Sequence, residues 1–99
     1  MGLGKTIQAL AICCVYRSDW PVVIICPSAL RYNWKEEILK WVPKIHDMDI
    51  HLINTSLESI MNNAKFYIIS YEMAAKMREK ILARGIGIVI ADEAHFLKS

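Results

Sequence analysis

The sequence predicts an α/β fold in which helices flank a parallel β-sheet. Apolar residues make up 55% of the 99 residues and the mean hydropathy is +0.26, which is high for a soluble domain. Short β-branched runs alternate along the chain with longer segments of helical periodicity. Strands separated by helices imply right-handed crossovers, which make the strands parallel and bury both of their faces. We therefore expect one domain with a core that needs no disulfide or metal.

The net charge is uninformative about partners, whereas the cysteine spacing and the lengths of the apolar stretches argue against several protein classes. Twelve Lys and Arg residues against ten Asp and Glu residues give a net charge of +2, which neither requires nor excludes a nucleic-acid partner. The three cysteines Cys13, Cys14 and Cys26 lack C-x-x-C spacing, which argues against a disulfide framework and a zinc ribbon. No apolar stretch is long enough to cross a bilayer, so we expect no membrane partner.

The first half of the chain predicts two helices with a strand between them. Residues 6–17 carry apolar side chains at helical spacing and predict the first helix. Val22–Cys26, closed by Pro27, predicts a buried strand. Ser28 is expected to cap the second helix, which Pro43 ends. The apolar face of that helix is expected to consist of Leu30, Trp34, Ile38 and Trp41.

The second half predicts three more strands and two more helices. The strands are expected at residues 49–53, 66–69 and 86–91. The helices are expected at residues 56–62 and 71–83, and Gly85 is placed to end the longer one. Each predicted strand is thus preceded by a predicted helix, and this alternation is what a parallel sheet requires.

A glycine-rich motif, Gly2-Leu3-Gly4-Lys5-Thr6, opens the first helix. Glycines let the backbone curl and aim N–H groups at phosphate oxygens, and the following helix N-terminus favours an anion. Lys5 is placed to reach the β- and γ-phosphates, and Thr6 offers a hydroxyl to Mg²⁺. In the pattern G-x-x-x-x-G-K-[ST], the first glycine would lie two residues before Met1. A plain glycine-rich helix start with a solvated lysine is the alternative.

An acidic motif, Asp92-Glu93-Ala94-His95, follows the predicted fourth strand. Ligands of open α/β sheets bind at the carboxyl ends of the strands. We expect Asp92 to hold Mg²⁺ there, directly or through water, opposite Thr6, and Glu93 to orient or deprotonate the attacking water. A charged loop after a buried strand is the alternative. The two motifs at opposite ends of one α/β unit together favour an ATP site.

The first residues also fit the N-myristoylation pattern M-G-x-x-x-[ST]. In that alternative Met1 is a genuine start, and the chain is a short, lipid-anchored binding protein without catalysis. Phosphate binding accounts for the acidic motif at the far end as well, whereas acylation of Gly2 accounts only for the beginning of the chain.

Four segments, in order, resemble motifs of the Swi/Snf-type ATPases of helicase superfamily two. Residues 1–10 look like motif I and residues 92–99 like motif II. Residues 26–37 are similar to motif Ia, and residues 68–72 to the segment before motif II. Residues 20–43 are most similar to the annealing-helicase branch that carries a zinc-finger Ran-binding domain.

This resemblance implies a partial RecA-like (P-loop NTPase) fold, truncated at both ends, with residues 1–99 running from motif I to motif II of the first RecA-like domain. The parent protein would use ATP and Mg²⁺ to translocate on branched or duplex DNA and to rewind or remodel it at replication forks in the nucleus. A nucleosome remodeller is the alternative within the family. A second RecA-like lobe of the same chain would supply the transition-state arginine, so the 99 residues alone are expected to be marginally folded and inactive.

The resemblance also implies roles for individual residues. Glu93 would be the catalytic base, and His95 would link the nucleotide site to neighbouring motifs. Mg²⁺ would be bound by Thr6 and Asp92, and Lys5 would act on the phosphates in catalysis. The residues implied to bind the nucleotide are Gly2, Leu3, Gly4, Lys5 and Thr6.

Four further residues have both a DNA-binding and a structural interpretation. Ser28 and Tyr71 lie in segments that face the DNA backbone in members of the resembled family, but a helix cap and a core aromatic are the alternatives. Trp34 and Trp41 share one helical face, which favours core packing over stacking on bases.

Overall fold

The computed structural model describes residues 3–53 and 63–92, with side chains from residue 6 onward. The helix predicted at 56–62 lies outside these residues. The helices are α1 (Leu3–Val15), α2 (Arg31–Trp41), α3 (Tyr71–Lys76) and α4 (Arg78–Ala83). The strands are β1 (Val22–Cys26), β2 (Ile50–Leu52), β3 (Phe66–Ser70) and β4 (Ile88–Ala91). No helix in the described ranges is long and apolar enough to cross a membrane.

The four strands form one parallel sheet in the order β2-β3-β1-β4, which confirms the predicted fold class. β1 lies inside the sheet, with Ile24 opposite Ile68 of β3 on one side and Ile90 of β4 on the other. Its run of β-branched residues suits this position, because a strand covered on both faces has no polar side to offer water.

Helices cover the sheet on two faces. On one face, Leu10 of α1 and Ile38 of α2 pack against Ile24. On the other face, Met77 packs against Val23 and Tyr67, with α3 and α4 supplying the partly buried side chains around it. Successive residues of a strand point to opposite faces, so β1 contributes to both cores.

The segment predicted as one helix at 71–83 forms two short helices. The break is at Met77, whose backbone angles are φ −110° and ψ 20°, outside the helical region. The Met77 side chain is 2% exposed and lies in the core between the sheet and these helices. Gly85, at φ 74°, follows α4, as predicted, and its N–H donates to the Leu82 carbonyl at 3.2 Å.

Two predictions for α2 are wrong. Ser28 does not cap the helix: it opens a 3-10 turn (Ser28–Leu30), and Leu30 is the N-cap residue without a side-chain cap. Trp41 is not in the core: it is 43% exposed, and its indole N–H donates to Glu37 Oε1 at 2.7 Å. The chain becomes extended directly after Trp41, and Val42, 3% exposed, enters the core in its place.

Trp20 connects the end of α1 to the beginning of β1. Its indole N–H donates to the Cys13 carbonyl at 2.8 Å, and its ring meets that of Phe66 edge-on with centroids 4.8 Å apart. Cys13 is itself part of α1, and its side chain is fully buried. The C-terminal half of α1 is thereby fixed beside the amino end of the sheet.

β4 begins two residues later than predicted. Residues 86 and 87 are not part of the strand, because the chain passes there close to the turn before β1. The Gly87 N–H donates to the Pro21 carbonyl at 3.2 Å, and a Cβ on Gly87 would lie 1.7 Å from the Asp19 carbonyl oxygen. Only glycine permits this approach. Within β4, Ile90 packs against the α1–α2 core, whereas Val89 on the other face is 61% exposed.

The two-faced core predicts unequal effects for two isoleucines on the same side of the sheet. Ile38→Ala removes a fully buried side chain, and should lower the free energy of opening of the β1 amides by about 2–5 kcal/mol. Ile12→Ala, at a position 56% exposed, should change it by about 0.5 kcal/mol or less. Native-state hydrogen exchange of the natural protein that contains this chain measures both. Equal effects would contradict the described core.

Candidate functional site

The parallel arrangement brings the ends of all four strands to one edge of the sheet, here called the carboxyl edge. It is formed by Cys26 of β1, Ser70 of β3, Ile53 after β2 and Asp92 after β4. Because ligands of open parallel sheets bind at this edge, it is the region of the described chain with the strongest claim to function.

Asp92 is held at the carboxyl edge through its main chain. Its N–H donates to the Ile25 carbonyl at 2.8 Å, which extends the pairing of β4 with β1 beyond the last strand residue. Its carbonyl accepts a hydrogen bond from the Tyr71 hydroxyl. Asp92 is half-buried, and these two hydrogen bonds hold its main chain at the end of β4.

Arg31, which was not among the predicted site residues, connects two other parts of this edge. Its Nη1 donates to the Ile53 carbonyl at 2.8 Å, and its Nε donates to the Ser28 carbonyl at 3.1 Å. It therefore joins the loop after β1 to the end of β2. The available signal was its place in the first turn of the helix that follows an apolar strand, where a basic side chain meets the carboxyl edge.

The pKa of the Cys26 thiol depends on both Asp92 and Arg31. Burial raises the pKa of its thiol to about 12; the nearby Asp92 carboxylate raises it as well, and the Arg31 guanidinium opposes the rise. Asp92 and Arg31 are therefore both close enough to the end of β1 to act on one thiol. A thiol with this pKa is neutral at physiological pH and does not serve as a nucleophile.

The other predicted site residues are described to different extents. Leu3, Gly4 and Lys5 form the backbone of the first turn of α1, and Thr6 in the same turn is half-buried. Ser28 is exposed at the carboxyl edge. The remaining predicted site residues lie outside the described part of the chain: Gly2, Glu93 and His95.

The oxygen donors available here fit Mg²⁺ better than a soft metal. In residues 3–53 and 63–92, no three His, Cys, Asp or Glu side chains cluster as a metal site would require. Mg²⁺ at a nucleotide site takes only one or two protein oxygens, since phosphates and water complete its shell. A hydroxyl from Thr6 and a carboxylate from Asp92 suit that requirement.

The raised pKa of Cys26 predicts slow alkylation. The rise from 9.0 to about 12 lowers the thiolate population about a thousandfold below pH 9. Iodoacetamide at pH 8 should therefore label Cys26 in the native protein at least that much more slowly than in denatured protein, as followed by peptide mass spectrometry. Cys14, which is half-buried on α1, should be labelled before Cys26. Labelling of Cys26 as fast as Cys14 would contradict the described environment.

Comparison with known proteins identifies relatives along the whole chain. The family described as SNF2-related domain matches residues 1–99. A Bos taurus protein, SWI/SNF-related matrix-associated actin-dependent regulator of chromatin subfamily A-like protein 1, is 37% identical over 99 residues, covering 100% of this chain and 10% of the relative. The Homo sapiens DNA annealing helicase and endonuclease ZRANB3 is 38% identical over 104 residues, again covering 100% and 10%.

These relatives confirm the resemblance to Swi/Snf-type ATPases and to their annealing-helicase branch. The chain spans about a tenth of the length of the relatives that it matches. Its parallel sheet with helices on both faces is the architecture of a partial RecA-like lobe. On the match of its full length, the chain belongs to the SNF2-related domain family.

Proposed function

We propose that this chain forms part of the first ATP-binding lobe of a DNA-dependent ATPase that rewinds or remodels branched DNA. The observation that carries the proposal is the position of Asp92, fixed at the carboxyl edge directly after β4, which pairs in parallel with the buried strand β1. Membership of the SNF2-related domain family supports ATP use in general terms. The family match also includes residues 1–6, which favours the phosphate-loop interpretation of this segment over acylation.

The direction of α1 supports a shared site for Lys5, Thr6 and Asp92. Trp20 holds the C-terminal half of α1 near the amino end of β1. The 13 residues of α1 extend about 20 Å, and the five residues of β1 about 17 Å. A helix that packs along the strand and ends near its amino end has its first turn toward the carboxyl edge. Lys5 and Thr6 would then face the ligand that Asp92 helps to bind.

Each proposed residue has one task. The first turn of α1, from Leu3 to Thr6, together with Gly2 before it, presents backbone N–H groups to phosphate oxygens, and Lys5 adds a positive charge. Thr6 and Asp92 hold Mg²⁺, which when bound offsets the charge of the phosphates. Glu93 orients and deprotonates the water that attacks, and His95 connects this site to adjoining motifs.

DNA is the proposed partner of the complete protein. The human relative is named a DNA annealing helicase and endonuclease, and the bovine relative a regulator of chromatin. The first name favours annealing of DNA strands, and the second makes nucleosome remodelling the second candidate. In either case the activity belongs in the nucleus and needs a second RecA-like lobe to supply an arginine to the transition state.

The proposed role of Lys5 predicts loss of ATP turnover in the natural protein. Lys5→Ala removes the charge that stabilises the phosphates, and should lower DNA-stimulated kcat at least about a hundredfold. Lys40→Ala is the matched control, because Lys40 is exposed near the end of α2 and lies 5.1 Å from the Trp41 ring centroid. It should leave turnover within about twofold of wild type. Steady-state ATP hydrolysis with forked DNA measures both.

Near-normal turnover of the Lys5→Ala protein would refute the nucleotide site. Loss of turnover with unchanged binding of forked DNA would support it, since Lys5 acts on ATP and not on DNA.

A further inference from the structure

The hydrogen bond from Tyr71 to Asp92 spans the central strand of the sheet. Tyr71 follows β3, and Asp92 follows β4, whereas β1 lies between these two strands. Neighbouring strands are about 4.8 Å apart, so the tyrosine side chain and its hydrogen bond together bridge two strand spacings, about 10 Å. The Tyr71 hydroxyl then donates to the Asp92 carbonyl. Two non-adjacent strand ends are joined by one phenol.

The base of this connection is well anchored. Tyr71 is the first residue of α3, and the preceding Ser70 is 6% exposed. The Ser70 hydroxyl accepts a hydrogen bond from the Met73 N–H at 3.2 Å and caps the helix. Met73 packs against the core around Val23. The tyrosine therefore projects from a capped helix start and not from an unattached loop.

At the other end, the two main-chain polar groups of Asp92 have different partners. The N–H donates to Ile25 of β1, and the carbonyl accepts from Tyr71. The first bond fixes where the residue leaves the sheet. The second fixes the direction of the Asp92 carbonyl group. With both bonds in place, the direction of the Asp92 side chain is restricted before any ligand binds.

We propose that Tyr71 is a positioning residue for Asp92, which it orients for metal binding through the main chain. The inference rests on the proposed function, because it takes Asp92 to be a metal ligand. It gives Tyr71 a task different from the DNA contact expected from the sequence: the hydroxyl faces the acidic motif. Groups that orient metal ligands contribute to affinity without touching the ion.

The test compares Tyr71→Phe with Tyr67→Phe in the natural protein. Tyr67 is on β3, the strand that precedes Tyr71, and is 1% exposed. Its hydroxyl accepts a hydrogen bond from Arg84 Nε at 3.3 Å and not from a group of Asp92. Each substitution removes one hydrogen-bonded phenol hydroxyl and keeps the ring. An effect on Asp92 that only Tyr71→Phe produces therefore supports the bond between the two residues, whereas an effect that both substitutions share reflects the general loss of a phenol hydroxyl.

Two readouts that do not depend on turnover are measured. Hydrogen exchange of the Asp92 amide in ligand-free protein should be about three- to tenfold faster in Tyr71→Phe, because one bond to that residue is lost. Binding of Mn²⁺ with a non-hydrolysable ATP analogue, followed by electron paramagnetic resonance, should weaken about tenfold. Tyr67→Phe should leave both within twofold of wild type.

Tyr71→Phe with wild-type Mn²⁺ affinity would overturn the proposal, whatever the exchange result. Equal shifts in Tyr71→Phe and Tyr67→Phe would also overturn it, since they would indicate general loosening of β3. Failure of the proposed function is seen separately, as normal ATP turnover in Lys5→Ala. In that case, hydrogen exchange would still show whether Tyr71 holds the Asp92 main chain. An unchanged Mn²⁺ affinity of Tyr71→Phe would overturn the proposal that Tyr71 orients Asp92 for metal binding.

Discussion

The structure depends on the parallel pairing of β1 with both of its neighbours. Because β1 lies between β3 and β4, its backbone groups are paired on both sides and its side chains enter both cores. Parallel pairing then determines that Cys26, Ser70 and Asp92 emerge at one edge. A change in the direction of β4 would move Asp92 to the opposite edge and remove any relation to the loop after β1.

At that edge, hydrogen bonds from side chains to main-chain carbonyls hold the segments that follow the strands. Arg31 connects the loop after β1 to the end of β2, and Tyr71 connects the start of α3 to Asp92. These bonds hold segments that have left the sheet, where ladder hydrogen bonds no longer act. A site that binds a charged ligand benefits, because donors that are already ordered need little reorganisation when the ligand arrives.

The sequence predicted most of the fold, because an element that is buried along its whole length carries a recognisable pattern. Buried strands carry β-branched runs, and helices carry apolar residues at helical spacing. Apart from the break at Met77 in the segment predicted as one helix, the errors lie where elements end. Trp41 has the right spacing for the core, but α2 stops there and Val42 is buried in its place. The carboxyl edge was predicted from Asp92, yet Arg31 and the bond from Tyr71 were not, because a contact between distant loops leaves no periodic pattern.

The most direct measurement is a structure of the natural protein with Mg²⁺ and a non-hydrolysable ATP analogue. We expect Thr6 and Asp92 to bind one Mg²⁺, directly or through one water, with metal–oxygen distances of about 2.1 Å. We also expect Lys5 Nζ to contact the terminal phosphates. A structure in which the first turn of α1 and Asp92 lie at opposite edges of the sheet, with the nucleotide elsewhere, would contradict this expectation.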